Sequence, residues 1–135
     1  MSDDIHLSEI FNYKRDRTYP LSWDFECRTS LIYDADLIKR LNGKRKRPDF
    51  YVSEVWRDKE NGSLGRACGP AIQLMNPING IAVIQRYYAG GKLHRQFGPA
   101  IIERDTYTGE ITKQEFYRKG RLVIPSYGPE KWSPL

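Results

Sequence analysis

The chain has 135 residues, 39% hydrophobic and 29% charged, with a formal net charge of +5 and a mean hydropathy of −0.67. That length suits one domain with a lean core helped by a 13% aromatic fraction, and the persistent hydrophobic alternation excludes global disorder. No apolar run reaches the length of a membrane span and the opening Met-Ser-Asp-Asp-Ile-His is not a signal peptide, so a cytoplasmic protein with no membrane partner is expected.

Residues 1–33 carry a net charge of −2, against +3 for residues 34–66 and +4 for residues 67–135. Ser2 fits an N-cap ahead of Ile5, Leu7, Ile10 and Phe11, and Tyr19-Pro20 stops any helix there. Trp23, Phe25 and Cys27 alternate with Asp24, Glu26 and Arg28, the period of a strand. Residues 34–42 predict a helix. Asp34 caps it, Leu37, Ile38 and Leu41 form its stripe, Lys39 and Arg40 suit its C-terminal dipole, and Gly43 stops it. From Phe50 the pattern turns to strands and turns. One strand runs to Trp56, with Phe50, Val52 and Glu54 on one side and Tyr51, Ser53 and Val55 on the other. A turn at Asp58 to Gly62, a short strand around Leu64 and another from Ala71 to Leu74 follow. Asn76-Pro77-Ile78-Asn79-Gly80 turns into a long strand from Ile81 to Tyr88, Gly90-Gly91 turns it, and Lys92 to Arg95 returns. Ala100 to Arg104 and Ile111 to Tyr117 flank a turn at Thr108-Gly109, and Lys119-Gly120 leads into a tail with Pro125, Pro129 and Pro134.

The same phrase occurs twice in this stretch. Residues 62–71 read Gly-Ser-Leu-Gly-Arg-Ala-Cys-Gly-Pro-Ala and residues 91–100 read Gly-Lys-Leu-His-Arg-Gln-Phe-Gly-Pro-Ala. Gly62, Gly91 and Gly120 lie 29 residues apart, and Gly69-Pro70, Gly98-Pro99 and Gly128-Pro129 begin at steps of 29 and 30. Aromatic residues precede each turn: Trp56, then Tyr87 and Tyr88, then Phe116 and Tyr117. A fixed period of this size signals stacked supersecondary units. The expected fold is therefore mainly β: an antiparallel meander of about three 29-residue hairpin repeats with a small α/β N-terminal segment. In domain terms, residues 1–49 form that segment, residues 50–124 the repeat domain and residues 125–135 a tail. The Gly-Pro breaks are expected at bulges or sheet edges.

Over residues 56–122 the chain resembles MORN-repeat variants of the form aromatic, spacer, Gly-x-Leu-His-Arg-x-x-Gly-Pro-Ala, with the second copy complete. Gly65 replaces the motif histidine in the first copy, and Val123-Ile124 replaces His-Arg in the third. The resemblance implies β-hairpin meanders that serve as interaction surfaces, of the kind found in bacterial antitoxin-like, phage and giant-virus proteins.

The chemistry-bearing residues are few. His94 and Arg95 read either as a phosphate-binding or catalytic dyad, or as side chains that bond a turn carbonyl in the neighbouring unit. The degenerate copies favour the second reading. Two histidines and two scattered cysteines do not match a zinc set, so no metal and no cofactor is expected, and Cys27 and Cys68 read as reduced thiols packed as small hydrophobes. Nucleophile, phosphate-loop and zinc-protease motifs are missing, so the chain reads as non-enzymatic.

Six cations fall within nine residues, Lys39 to Arg47: Lys39, Arg40, Lys44, Arg45, Lys46 and Arg47. They read as a solvated loop, as a grip on an acidic protein, or, with Phe50, Tyr51 and Trp56 nearby, as a nucleic-acid contact. Partner-binding candidates are these six with Arg86, Arg95 and Tyr117 on exposed strand faces. The structural set is Trp56, Gly62, Gly69, Pro70, Tyr88, Gly91, His94, Gly98, Pro99 and Gly120. The function expected is a stoichiometric inhibitor, antitoxin or phage anti-defence factor that blocks a protein or nucleoprotein target; the alternative is a basic nucleic-acid-binding protein. A phage-encoded chain would work in the host cytosol, and only an import role of the basic run would make it nuclear.

Overall fold

Among the described residues, the one helix forms where the sequence supplies both of its ends. In the computed structural model, which describes residues 24–124, α1 (Ala35–Asn42) follows Asp34, whose carboxylate accepts the Leu37 N–H at 3.1 Å. It closes at Gly43, with φ 63° and an N–H donated to the Lys39 carbonyl at 3.0 Å. The N-cap, helix and strand start expected over Ser2 to Trp23, and the tail expected over Pro125 to Leu135 with Gly128-Pro129, lie outside the described residues.

The rest is mainly β. The strands are β1 (Phe25–Ile32), β2 (Tyr51–Asp58), β3 (Ile72–Met75), β4 (Ala82–Arg86), β5 (Tyr88–Ala89), β6 (Lys92–Leu93), β7 (Ile101–Arg104), β8 (Ile111–Arg118) and β9 (Arg121–Val123). Seven of them form one antiparallel sheet in the order β1-β2-β3-β4-β7-β8-β9, while β5 and β6 pair as a separate hairpin. β1 lies against β2 along its whole length, from Phe25 opposite Asp58 to Ile32 opposite Tyr51. The expected strand from Ile81 to Tyr88 is broken. Tyr87 lies between β4 and β5, its N–H donating to the Ala100 carbonyl and its carbonyl accepting from His94. Around Leu64 only an isolated bridge to Arg57 forms. The bulges fall at Leu74/Met75 and Glu103/Arg104, beyond the Gly-Pro pairs rather than at them.

Both faces of the sheet carry packed elements, while Ile111 to Gln114 of β8 stay exposed. On one, Tyr51, Leu74, Val83 and Ile84 are buried and Ile32, Leu37, Ile38, Leu41 and Ile81 pack on them, so α1 lies over this core. Each such apolar side chain contributes about 1.5–3 kcal/mol on burial. On the other face lie the Gly-Pro arms. The guanidinium of Arg66 sits 4.4 Å from the Trp56 ring and donates to the Pro70 carbonyl at 3.4 Å. Twenty-nine residues on, Arg95 sits 4.0 Å from the Tyr87 ring and donates to the Pro99 carbonyl at 3.2 Å. Ala71 and Ala100, fully buried, donate to the carbonyls of Arg86 and Glu115, and their own carbonyls accept from Trp56 and Tyr87. Each alanine thus ties its arm to two strands.

Glu54 is 4% exposed. One oxygen accepts from Trp56 Nε1 at 2.9 Å, Gln73 Nε2 at 3.1 Å and Arg66 at 3.5 Å. A buried carboxylate survives only with such partners. Glu54→Ala is expected to lower stability by about 3 kcal/mol through the unpaired donors it leaves, with Glu54→Gln losing less; urea midpoints check this.

The arm glycines tolerate no side chain. Gly69 and Gly98 have φ of 110° and 114°, and a Cβ on Gly98 would lie 3.1 Å from Arg95 Nη1. Gly98→Val should therefore cost about 3 kcal/mol, against about 1 kcal/mol for Gly43→Ala, where a Cβ meets open space. Equal denaturant midpoints for the two variants would contradict this account.

Candidate functional site

The basic run is built onto the sheet by a buried polar chain. Asn42, the last residue of α1, donates from Nδ2 to the Pro48 carbonyl at 2.9 Å and accepts the Tyr51 hydroxyl proton at 2.7 Å. The Tyr51 oxygen lies 2.8 Å from Thr106 Oγ1, to which Asn76 Nδ2 donates at 3.0 Å. Burial raises the pKa of this phenol above its ordinary value and keeps it neutral. The turn between β7 and β8 and the loop after α1 are thereby one unit.

Charge pairs add to that attachment. Arg45 donates to Asp105 at 3.1 Å while lying 4.3 Å from the Tyr107 ring, and the Tyr107 hydroxyl donates to the Arg47 carbonyl. Arg40 reaches Glu103 at 3.5 Å, and Arg47 pairs with Asp49. Lys39, Lys44 and Lys46 are exposed and form no ion pair among the described residues. The six cations are therefore two sets: arginines spent on positioning, lysines facing solvent. All six side chains remain exposed, so the loop is solvated even where its arginines are paired, and exposed pairs of this kind are each worth about 0–1 kcal/mol.

A pocket of about 380 Å³ lies between the end of α1 and this loop, lined among others by Tyr33, Ile38, Lys39, Gly43, Arg45 and Lys46. Tyr33 is 64% exposed, its ring 5.6 Å from that of Phe50 at 39°. Tyr51 and Trp56, read as aromatic neighbours of the basic run, are buried at 0% and 3% and offer no stacking surface. Tyr33 takes that place; sequence reasoning missed it because it lies before the helix. A second pocket, of about 640 Å³, runs along β1 and β2 past Glu26, Arg28, Ser30, Val55 and Arg57.

The other candidates are less open than expected. Arg86, Arg95 and Tyr117 are half-buried rather than exposed. Arg86 Nε is buried without a hydrogen-bond partner, Arg95 is held on Tyr87, and the Tyr117 carbonyl accepts the Arg95 N–H at 3.1 Å. His94 does bond its neighbour, but as an acceptor: the Lys119 N–H donates to Nδ1 at 3.0 Å. No turn carbonyl is its partner, because the facing backbone group at Lys119, φ 51°, is an amide. Cys27 is half-buried but Cys68 is exposed, so Cys68 does not pack as a core hydrophobe. Among the described residues there is no cluster of three metal-ligating side chains and no helix long and apolar enough to cross a membrane. No family model matches the chain, and neither a curated protein nor a solved structure matches it.

Asp105 gives this site a measurable signature. Backbone N–H groups of Thr108 and Tyr107, at 2.9 and 2.8 Å, hold its carboxyl down to a pKa of about 2, with Arg45 adding to them. A depressed carboxyl contributes stability fully above its ordinary value of about 4 and loses it as the pH falls towards 2. Between those values the wild-type urea midpoint should fall more steeply than that of Asp105→Asn. Parallel curves would show that the carboxylate does not hold the turn.

Proposed function

We propose that this protein is a non-enzymatic interaction module of about three 29-residue β-hairpin repeats, similar to MORN-repeat variants, that acts stoichiometrically by covering a surface of a partner protein. Repetition is supported by pairs of equivalent bonds: Arg66 and Arg95 on their aromatics, and Ala71 and Ala100 each tied to the next strand. The observation that carries the reading is the use made of the reactive-looking groups. His94, Arg95, Arg66 and Glu54 are all engaged in joining strands and arms, and the exposed chemistry is that of surface lysines and arginines, carboxylates such as Asp36 and Glu60, and a few apolar side chains. Phe97 and Leu122 are 54% and 55% exposed at the C-terminal end of the sheet. Blocking a target in this way is the mode of an inhibitor, an antitoxin or a phage anti-defence factor, working in the cytosol. Lys39, Lys44 and Lys46 would assist the encounter with an acidic partner without supplying its specificity.

One observation favours a second reading. Tyr33 stands exposed beside the unpaired lysines, the pairing of stacking ring and cations that single-stranded nucleic acid needs. The two readings separate in a pull-down from nuclease-treated lysate. The protein module should hold one partner in fixed stoichiometry through moderate salt, and lose little of it on Lys39, Lys44 and Lys46 to Ser. A nucleic-acid binder should retain no protein, and its oligonucleotide affinity should fall with salt at a logarithmic slope of about −2 for three lysine contacts.

A further inference from the structure

The end of the sheet carries an unused copy of a bond made twice within it. The Leu64 carbonyl accepts the Gly91 N–H at 2.9 Å, and the Leu93 carbonyl accepts the Gly120 N–H at 2.8 Å. In each case the glycine of one tight turn docks on the leucine two residues past the preceding turn glycine. The approach is close: a Cβ on Gly91 would lie 3.4 Å from Ser63 Cβ, and one on Gly120 would lie 3.7 Å from Lys92 Cβ. Leu122 stands in the same relation to Gly120, and nothing among the described residues donates to its carbonyl. Its side chain is exposed where those of Leu64 and Leu93 are half-buried.

The register fixes the direction of that carbonyl. Arg118 and Arg121 close the tight turn of the β8-β9 hairpin, so the next pair, Tyr117 opposite Leu122, is a non-hydrogen-bonded one. The N–H and C=O of Leu122 therefore point away from β8, out of the sheet edge. In the β5-β6 hairpin Tyr88 and Leu93 hold the same position, and there the outward carbonyl is taken by Gly120. Around the β9 edge Lys92, Lys119 and Arg121 are exposed and form no ion pair among the described residues, while Arg118 donates to the Gln96 carbonyl at 3.0 Å.

We propose that the outer edge of β9 is a strand-addition site for an acidic, extended segment of a partner protein. One backbone N–H of that segment donates to the Leu122 carbonyl and one of its carbonyls accepts the outward Leu122 N–H, an apolar side chain covers Leu122, and flanking carboxylates meet Lys119 and Arg121. Main-chain bonds supply the affinity and the charges supply the selection. A second copy of this chain is not the occupant. The first turn glycine, Gly62, already donates its N–H to the Asp58 carbonyl at 2.8 Å, so a second copy does not offer the turn-glycine donor that the two inner bonds use. The proposal rests on the protein-binding reading above and names the chemistry of its partner.

The test uses the full chain and a ten-residue capped peptide of alternating Glu and Val, followed by anisotropy and by amide NMR. Binding is expected in the micromolar range, with shifts centred on Lys119 to Val123. Replacing Glu by Lys in the peptide, or methylating alternate backbone amides, should weaken it at least tenfold. Leu122→Pro removes an outward N–H without touching the β8-β9 ladder and should abolish binding; Arg121→Glu, which leaves the backbone unchanged, should weaken it at least tenfold. Shifts centred on Lys39 to Arg47, undiminished binding of the methylated peptide, or displacement of the peptide by a single-stranded oligonucleotide would overturn the proposal. So would concentration-dependent self-association that Leu122→Pro removes. A stoichiometric protein partner retained at full strength by both variants would sink the edge site and leave the protein-binding reading standing, whereas retention of no protein at all would remove both.

Discussion

A phenol with no access to water organises this molecule. Tyr51 is wholly buried, and a hydroxyl in that position must find partners within the protein or lose on the order of 1–3 kcal/mol. Its partners are Asn42 at the end of α1 and Thr106 in the turn between β7 and β8, more than fifty residues further along the chain. Asn76 joins the same oxygen of Thr106 from the turn between β3 and β4, and Asn79 reaches the Thr106 carbonyl. Helix, second strand and two turns are therefore set by one chain of hydrogen bonds. The basic loop inherits its position from that chain, since Asn42 also holds the Pro48 carbonyl. Its arginines settle onto Asp105 and Glu103 because those carboxylates are already in place.

The opposite face depends on a different device. An arginine stacked on an aromatic ring and bonded to a proline carbonyl clamps each Gly-Pro arm across the sheet. The glycine at each arm is required twice over, by its positive φ and by the guanidinium packed against the place of its missing Cβ. Guanidinium, imidazole and carboxylate groups that would suggest catalysis in a list of residues are consumed by this construction. Arg66 and Trp56 share the carboxylate of Glu54, and His94 receives the backbone of the next turn. The end of the sheet and the lysines of the loop are among the groups this construction leaves exposed.

Local chemistry was legible from the residues and distant pairing was not. The helix could be read because its cap, stripe and stop lie within ten residues. The positive-φ turns could be read because glycines recur every 29. Five strands of the large sheet, β2, β3, β4, β7 and β8, were found to within a few residues by alternation, β1 only in its first part, and β9 not at all, because it was read as the start of a tail. The break at Tyr87 was not, because strand-favouring Tyr87 and Tyr88 continue the run and only the claims of Ala100 and His94 on its backbone divide the strand. Glu54 gave no signal, since its three donors come from positions 2, 12 and 19 residues away. The division of the basic run failed for the same reason. Arg45 and Lys46 are neighbours of like charge, and their different fates follow from Asp105 and Tyr107, sixty residues downstream.

The two ends of the sheet are unequal, and the inequality bears on how such a protein meets a partner while avoiding copies of itself. At the first turn the longer segment from Asp58 to Gly62 closes on its own backbone, and β1 covers the neighbouring strand along its full length. At the last turn the backbone of Leu122 points outward beside Lys119 and Arg121. Exposed strand edges invite indiscriminate pairing, and charged side chains, lysine above all, are the usual guard against it. A guard of one sign is selective rather than absolute. It repels the basic edge of another copy and most neutral strands, because pairing would strand cations against apolar or like-charged neighbours, yet the same cations attract a segment rich in carboxylates. At the proposed site one set of side chains would thus both protect the edge and choose its occupant.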